Sequence, residues 1–311
     1  MNVMMIGFSG TGKTSYMGAM YGQWNNESSD SFSVRAKSDS QHLNLLSLSN
    51  KLKRGRYPTG TDMLDRYDFT LAYKGCSILD FSWIDYRGGV LSERGSSEMQ
   101  SVISAINGAH ALIVFLDMTQ FVSNPSGTGL IVKRLSRLLQ NALSDIQNRC
   151  NCSFPISIVL TKADMVTDFD AIANSKVYKM LIDIISSLRE NEQLSIMLTL
   201  TAINADGSMG VQYPFVHSLV WGLAEYKTAM DIELGRMAER EERLRNEGGF
   251  WDEIWSSFKG EKSKCDLADE EWQRMQQLDR YITELQNGPI KDMAEYLSCE
   301  SGDKDVLMWL F

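Results

Sequence analysis

The sequence predicts an α/β fold with a doubly wound, mainly parallel sheet, followed by an α-helical C-terminal extension. Short apolar runs alternate with helical stripes, and the connections between the runs are long enough to hold crossover helices. The charge also changes along the chain. Residues 1–224 carry 19 acidic and 19 basic side chains, whereas residues 225–311 carry 21 acidic and 12 basic ones. The net charge of −9 therefore belongs to an acidic extension covering residues 225–311.

The predicted strands are short apolar runs that lie between turn-forming residues. The run at residues 111–117, Ala-Leu-Ile-Val-Phe-Leu-Asp, is typical of a strand buried on both faces of a parallel sheet. Lys74-Gly75 separates two of the runs and suits the turn of a hairpin. In chain order, the predicted strands cover residues 3–6, 32–34, 67–73, 77–85, 111–117, 156–160 and 196–200.

The predicted helices are stretches in which apolar side chains recur every three or four residues. Leu45, Leu48 and Leu52 show this spacing, and Asp39 or Ser40 is placed to cap the helix that they define. The predicted helices start near residue 15, near residue 40, and at residues 97, 129, 177 and 216, and the last of these continues into the extension with breaks at 248–249 and 288–289.

The composition argues against several classes of protein. The 311 residues are 43% hydrophobic and 23% charged, which is ordinary for a globular chain. No apolar run approaches the length of a membrane span, and a strand at residue 3 leaves no room for a signal peptide. Five scattered cysteines predict free thiols and a cytoplasmic protein. Because the excess charge is acidic, we expect no nucleic-acid binding. Because no apolar run is long enough, we expect no membrane insertion.

A glycine-rich loop follows the first predicted strand. Residues 7–14 read Gly-Phe-Ser-Gly-Thr-Gly-Lys-Thr and match the phosphate-binding pattern G-x-x-x-x-G-K-T, with a strand before it and a helix after it. Backbone N–H groups, the helix N-terminus and the lysine supply positive charge, and the threonine hydroxyl can bind Mg²⁺. A glycine-rich turn without a ligand is the alternative. The residues expected to contact a nucleoside triphosphate are Gly7, Ser9, Gly10, Thr11, Gly12, Lys13, Thr14 and Ser15.

Three further motifs follow predicted strands, at the sheet edge where ligands bind in such folds. They are Asp85-x-x-Gly88, Thr161-Lys162-x-Asp164 and Thr201-Ala202. In this order, the motifs resemble those of the Ras-like P-loop GTPases of the translation-factor-related class. The resemblance implies a G domain over residues 1–224 with a helical insertion at about residues 25–56. It also implies GTP or GDP and Mg²⁺ as ligands, with Asp85 holding the metal through a water and Gly88 approaching the γ-phosphate.

The base preference follows from hydrogen-bond geometry at Asp164. A carboxylate accepts from the N1–H and the 2-amino group of guanine, and adenine lacks both donors, so we expect GTP rather than ATP. By the same resemblance, Lys162 packs its stem against the base and ribose. The Ala202 N–H, after Thr201, contacts the guanine carbonyl.

The first switch loop should supply a threonine that closes over Mg²⁺. Thr61 is preferred because Pro58-x-x-Thr61 resembles bacterial double-GTPase-like members, and Thr59 is the alternative. Arg56-x-x-Thr59 resembles the spacing of the arginine and threonine in heterotrimeric G-protein alpha subunits, where the arginine acts in cis on the transferring phosphate. Alternatively, Arg56 belongs to a solvated basic loop. Gly89 stands where many small GTPases carry a glutamine that orients water. We therefore expect slow hydrolysis or dependence on a partner.

Together these features predict a GTP-dependent switch that hydrolyses GTP slowly and acts on a protein partner through its switch loops and C-terminal helices. Lys13, Arg56, Thr61, Gly88 and Gly89 are the residues expected to bear on hydrolysis. A scaffold that binds nucleotide without cycling is the alternative, and an ATPase is disfavoured by the base preference. The aromatic stripe at residues 250–258 is interpreted as core or docking surface, and the sequence is compatible with an oligomer.

Overall fold

The computed structural model describes residues 1–25, 32–58, 65–85, 97–149, 154–189, 194–205 and 207–220, with a few later positions (223–224, 227–228, 232, 273, 277 and 280–284). In this part of the chain, a seven-stranded sheet carries helices on both faces. The predicted α/β, doubly wound fold is confirmed.

The main sheet is mostly parallel. Its strands are β1 (Asn2–Gly7), β2 (Phe32–Ala36), β3 (Asp65–Tyr73), β4 (Cys76–Asp85), β5 (Ala111–Asp117), β6 (Phe154–Thr161) and β7 (Leu194–Leu200). Their spatial order is β2-β3-β4-β1-β5-β6-β7. Strands β4, β1, β5, β6 and β7 are parallel, whereas β3 is antiparallel to both β2 and β4. The segments that follow the five parallel strands therefore meet at one edge of the sheet.

The helices divide between the two faces of this sheet. They are α1 (Lys13–Trp24), α2 (Asp39–Leu52), α3 (Ser97–Gly108), α4 (Gln120–Ser123), α5 (Pro125–Arg149), α6 (Phe169–Asn174), α7 (Lys176–Arg189) and α8 (residues 212–220). Helices α3, α5 and α7 bury their apolar sides on one face, and α1, α2 and α8 on the other. Along β1, Met4 and Ile6 join the first core, while Val3 and Met5 join the second. This alternation is why the central strands read as continuous apolar runs.

Several boundaries differ from the sequence predictions. Helix α1 begins at Lys13 rather than near Ser15, and α5 begins at Pro125, four residues early. The predicted cap of α2 by Asp39 or Ser40 is wrong, because Ser38 occupies the N-cap position. The Ser38 side chain makes no capping hydrogen bond and lies 2.8 Å from the Ser40 hydroxyl.

Two short strands lie after β7 in a segment predicted only as a loop. Strand β8 (Ala202–Asn204) pairs antiparallel with β9 (Gly207–Met209), so the Thr201-Ala202 motif leads directly into a small hairpin. Three-residue strands are too short to show a hydrophobic period, which is why the sequence did not indicate them. Thr201 is therefore the one residue between β7 and this hairpin.

The acidic extension is described only at isolated positions. Residues 280–284 are helical, and the Tyr281 ring lies 5.8 Å from the Tyr73 ring in an edge-to-face arrangement. Ile282 packs against the core that also holds α1 and α2. The aromatic stripe at residues 250–258 and the breaks at 248–249 and 288–289 lie outside the described residues. The boundary near residue 224 and the helical insertion at residues 25–56 stay predictions, although the latter segment includes both β2 and α2.

A buried histidine links α8 to β6 and β7, the last two strands in the spatial order of the sheet. His217 Nδ1 lies 2.9 Å from the Ser157 hydroxyl on β6, and its Nε2 lies 3.0 Å from the Ser195 hydroxyl on β7. Burial disfavours the charged ring and lowers the pKa of His217 from 6.5 to about 3. The neutral imidazole can donate to one serine and accept from the other, so this polar site inside the core is satisfied.

We predict that His217 makes the protein less stable as the pH falls below 6.5. Between the unfolded and folded pKa values only the unfolded chain binds the proton, so the free energy of unfolding falls by about 1.4 kcal/mol per pH unit. Urea unfolding at pH 7 and pH 5 should show a loss of about 2 kcal/mol that a His217→Gln variant lacks. Equal pH dependence in both proteins would contradict this assignment.

Candidate functional site

The glycine-rich loop leaves β1 at Gly7 and turns tightly into α1. A Cβ atom on Gly7 would lie 2.8 Å from Thr11 Oγ1 and 2.9 Å from Phe115 Cβ, so this position has room only for glycine. Gly12 has a φ of +87°, in the left-handed region that glycine adopts without strain. Thr11 Oγ1 donates to the Phe8 carbonyl at 2.8 Å and closes the turn.

Lys13 is held at the start of α1 with only 8% of its surface exposed. Its Nζ donates to the Gly7 carbonyl at 2.9 Å and to the Phe8 carbonyl at 3.4 Å, and lies 3.9 Å from Asp85 Oδ1. Burial lowers the pKa of the Lys13 ammonium, and the Asp85 carboxylate acts in the opposite direction. The loop therefore places a cation next to the positive end of a helix dipole.

Thr14 and Asp85 have donor atoms that suit a magnesium ion. Thr14 lines the cavity described below, and Asp85 ends β4 beside Met5 of β1 with 3% of its surface exposed. Magnesium uses one or two carboxylates together with water and phosphate oxygens, so one hydroxyl and one carboxylate fit it. Within the described ranges, no three side chains of His, Cys, Asp or Glu form a metal cluster. Thr61, the third predicted ligand, lies outside those ranges.

Thr161 ties the glycine-rich loop to the end of the sheet. Its buried hydroxyl lies 2.8 Å from the Thr11 carbonyl and 3.2 Å from the Leu116 carbonyl, and can donate to either. Lys162 follows with a φ of +60°, and its Nζ donates to Asp117 Oδ2 at 2.6 Å. These hydrogen bonds connect the glycine-rich loop, β5 and β6 at the carboxyl edge of the sheet.

Asp164 and Thr201 lie close together at the ends of β6 and β7. Asp164 is exposed in a 3₁₀ turn over Ala163–Met165, and the Ala163 N–H donates to the Thr201 carbonyl at 3.1 Å. The Thr201 N–H donates to the Leu160 carbonyl at 2.8 Å. Thr201 is 1% exposed, and its Oγ1 has no hydrogen-bond partner among the described residues. Since Thr201 lines the cavity, a ligand could satisfy this hydroxyl.

A single cavity of about 540 Å³ joins these parts of the structure. This volume lies within the usual range for small-molecule sites, about 300–1,000 Å³. One side consists of residues 9–15, which include the loop and the start of α1. The rest of the lining comprises Tyr57, Pro58, Thr161, Lys162, Asp164, Met165, Thr201 and Ile203. The phosphate-binding motif and the predicted base-binding motif therefore open into the same space.

Two further predicted site residues, Arg56 and Ala202, are described by the structure but do not line the cavity. Arg56 is exposed just after α2, where its N–H donates to the Lys51 carbonyl at 2.9 Å, and Ala202 begins β8 beside the cavity-lining Thr201 and Ile203. The predicted residues outside the described ranges are Thr59, Thr61, Gly88 and Gly89.

Sequence reasoning did not assign a role to four residues of this region. Tyr57, Met165 and Ile203 line the cavity, and the Tyr57 hydroxyl donates to the Ile203 carbonyl at 2.9 Å. Asp117 pairs with Lys162. Asp117 ends a parallel strand, so the rule that selected Asp85, Lys162 and Thr201 would also have selected it. The other three have no sequence signal of their own.

No helix within the described residues is both long enough and apolar enough to cross a membrane. No known family profile matches the sequence, and no curated protein sequence matches it significantly.

Solved structures similar to this chain include several GTP-binding proteins. The small GTPase Arl6 of Trypanosoma brucei with bound GppNp is 14% identical, with a TM-score of 0.41, over 72% of this chain and 98% of that one. The signal recognition particle receptor complex SRb-GTP/SRX of Chaetomium thermophilum is 13% identical, with a TM-score of 0.40, over 70% and 96%. A GDP-bound GTP-binding protein of Sulfolobus solfataricus is 16% identical, with a TM-score of 0.31, over 66% and 46%.

Proposed function

We propose that this chain binds GTP and GDP, hydrolyses GTP slowly, and acts as a nucleotide-dependent switch for a protein partner. The observation that carries the proposal is the single cavity running from residues 9–15 to Asp164 and Thr201. One end offers positive charge and backbone N–H groups, and the other offers a carboxylate and a buried hydroxyl. A nucleoside triphosphate has matching chemistry at its two ends.

The phosphate end is supported by the surroundings of Lys13. Its ammonium is already oriented by the Gly7 and Phe8 carbonyls, so little side-chain freedom is lost when it contacts a phosphate oxygen. The N-terminus of α1 adds its dipole to the same position. Thr14 and Asp85 would hold Mg²⁺, which neutralises charge on the β- and γ-phosphates when it is bound.

The base end is supported by the position of Asp164. Asp164 lines the cavity together with Lys162 and Thr201, and a carboxylate accepts both hydrogen bonds that the guanine edge donates. Adenine offers no such pair of donors, so a site built this way rejects it strongly. We infer that guanine is the preferred base and that Lys162 covers one face of it.

The switch itself is proposed from the sequence. Thr61, or alternatively Thr59, and the 85–89 loop would be ordered by GTP through Mg²⁺ and the γ-phosphate, and hydrolysis would release them. Arg56 would then lie at the start of the segment that leads into this loop. Partner proteins would bind these loops and the C-terminal helices.

We predict that GDP or GTP with Mg²⁺ will raise the melting temperature, whereas ADP and ATP will not. Nucleotide at about 1,000 times its dissociation constant stabilises the folded state by about 4 kcal/mol. Differential scanning fluorimetry with the four nucleotides tests this directly. Equal stabilisation by ATP and GTP would remove the guanine preference, and no stabilisation by any of them would remove the nucleotide site.

A non-cycling scaffold is the second candidate, favoured by Gly89 at the position where many GTPases carry a water-orienting glutamine. The switch predicts measurable phosphate release from GTP by the isolated protein, at or below the range of about 10⁻⁴ to 10⁻² s⁻¹ known for unaided and cis-arginine enzymes. A coupled phosphate assay under single-turnover conditions measures it. Turnover of several per second would contradict the slow-switch account, and no release with any partner would support the scaffold.

A further inference from the structure

Lys162, which lines the proposed base-binding end of the cavity, forms an ion pair with Asp117. Lys162 Nζ lies 2.6 Å from Asp117 Oδ2, and the side chains are 34% and 11% exposed. Asp117 and Thr161 are register partners at the ends of the parallel strands β5 and β6, so Lys162 comes one residue after that pairing. Of the two charged residues, Lys162 lines the cavity and Asp117 does not.

The Asp117 carboxylate is itself fixed on both oxygens. Oδ1 accepts a hydrogen bond from the Thr119 N–H at 3.0 Å and from the Thr119 hydroxyl at 2.6 Å, while Oδ2 accepts from Lys162. With three donors around it and most of its surface covered, this carboxylate has one well-defined position. It is therefore an anchor and not a mobile surface charge.

The anchor acts on a side chain that would otherwise have many conformations. A free lysine has four rotatable bonds and loses up to about 2 kcal/mol of entropy when it is ordered. Lys162 has its backbone in a left-handed turn and its ammonium held by Asp117, so both ends of the stem are fixed before any ligand arrives. A wall of the cavity is thus preorganised, and preorganisation increases affinity.

We propose that Asp117 is a positioning residue for guanine-nucleotide binding. It acts through Lys162, whose stem it holds as a fixed wall of the base subsite next to Asp164. This inference rests on the proposed function, because it assumes that the base lies at this end of the cavity.

The chain provides a matched control for this ion pair. Lys37 Nζ and Asp80 Oδ2 are also 2.6 Å apart, but their side chains are 45% and 61% exposed and neither lines the cavity. An Asp→Asn change at either site removes one charge and keeps the shape of the side chain. Only the change at Asp117 should alter nucleotide binding.

The test is a double-mutant cycle read by isothermal titration with GDP and Mg²⁺. Asp117→Asn should weaken GDP binding about tenfold, because the ion pair is replaced by a weaker hydrogen bond from the Lys162 ammonium to a neutral amide. In the Lys162→Met background the same change should have no further effect, and Asp80→Asn should match the wild type. With GTP as substrate, Asp117→Asn should raise KM and leave kcat unchanged, since it removes binding that ground state and transition state share.

The urea unfolding midpoint of each nucleotide-free variant separates positioning from folding. If Asp117→Asn fails to fold, Thr119→Ala removes a donor to the same carboxylate and should weaken binding by about threefold. Wild-type affinity in Asp117→Asn, or an equal loss with and without Lys162, would overturn the positioning role while leaving GTP binding intact. A wild-type protein that does not bind GDP would overturn both proposals.

Discussion

Replacing Lys13 by alanine is expected to weaken GTP binding by about a hundredfold and to abolish measurable phosphate release. Lys13 is the buried cation of the loop, oriented by the Gly7 and Phe8 carbonyls toward the cavity that it lines. Its loss removes a charge-assisted contact to phosphate and leaves only backbone N–H groups and the dipole of α1. Titration of a fluorescent GTP analogue measures the affinity.

Two variants make this result interpretable. Lys13→Met keeps the aliphatic stem beside Asp85 and should lose as much affinity as Lys13→Ala, which separates charge from packing. Lys37→Ala removes an exposed, ion-paired lysine that does not line the cavity, and this variant should bind GTP as the wild type does. Affinity within about threefold of wild type in both Lys13 variants would show that the loop does not bind the phosphates.

Replacing Asp164 by asparagine is expected to exchange the base preference. Guanine presents two donors, and asparagine replaces one of the two accepting carboxylate oxygens by an NH2 donor, so GDP binding should weaken by about a hundredfold. Xanthine carries a carbonyl where guanine carries the 2-amino group, and the asparagine N–H can donate to it. Xanthosine diphosphate should therefore bind this variant more tightly than GDP does, in a competition assay against labelled GDP.

Asp170→Asn is the matched control for that exchange. Asp170 is also exposed, lies six residues further along in the first turn of α6, and does not line the cavity. The same chemical change there should leave both affinities unaltered. An Asp164→Asn variant that still prefers GDP to xanthosine diphosphate would place the base elsewhere.

Much of the fold follows from local chemistry in the sequence. The apolar run at residues 111–117 became β5, and Lys74-Gly75 became the turn between β3 and β4, because burial on both faces and a tight turn each leave a clear pattern. The α2 cap was mispredicted since Ser38, Asp39 and Ser40 are all capping residues, and only the backbone conformation decides among them.

In the candidate site, too, features that are contiguous in sequence were predicted, whereas contacts between distant residues were not. The loop around Lys13 and the motif around Asp164 are each contiguous in sequence, so the sequence pattern indicated their chemistry. The contacts of Asp117 with Lys162 and of Tyr57 with Ile203 join residues 45 and 146 positions apart. Such contacts depend on strand register and on the path of a loop, neither of which a local pattern encodes.

A crystal structure of the protein with GDP and Mg²⁺ tests the central claim most directly. The account predicts a diphosphate within hydrogen-bond distance of Lys13 Nζ and the backbone N–H groups of residues 10–15. It also predicts the guanine N1–H and 2-amino group on the Asp164 carboxylate. A nucleotide bound elsewhere, or a base that makes no contact with Asp164, would contradict it.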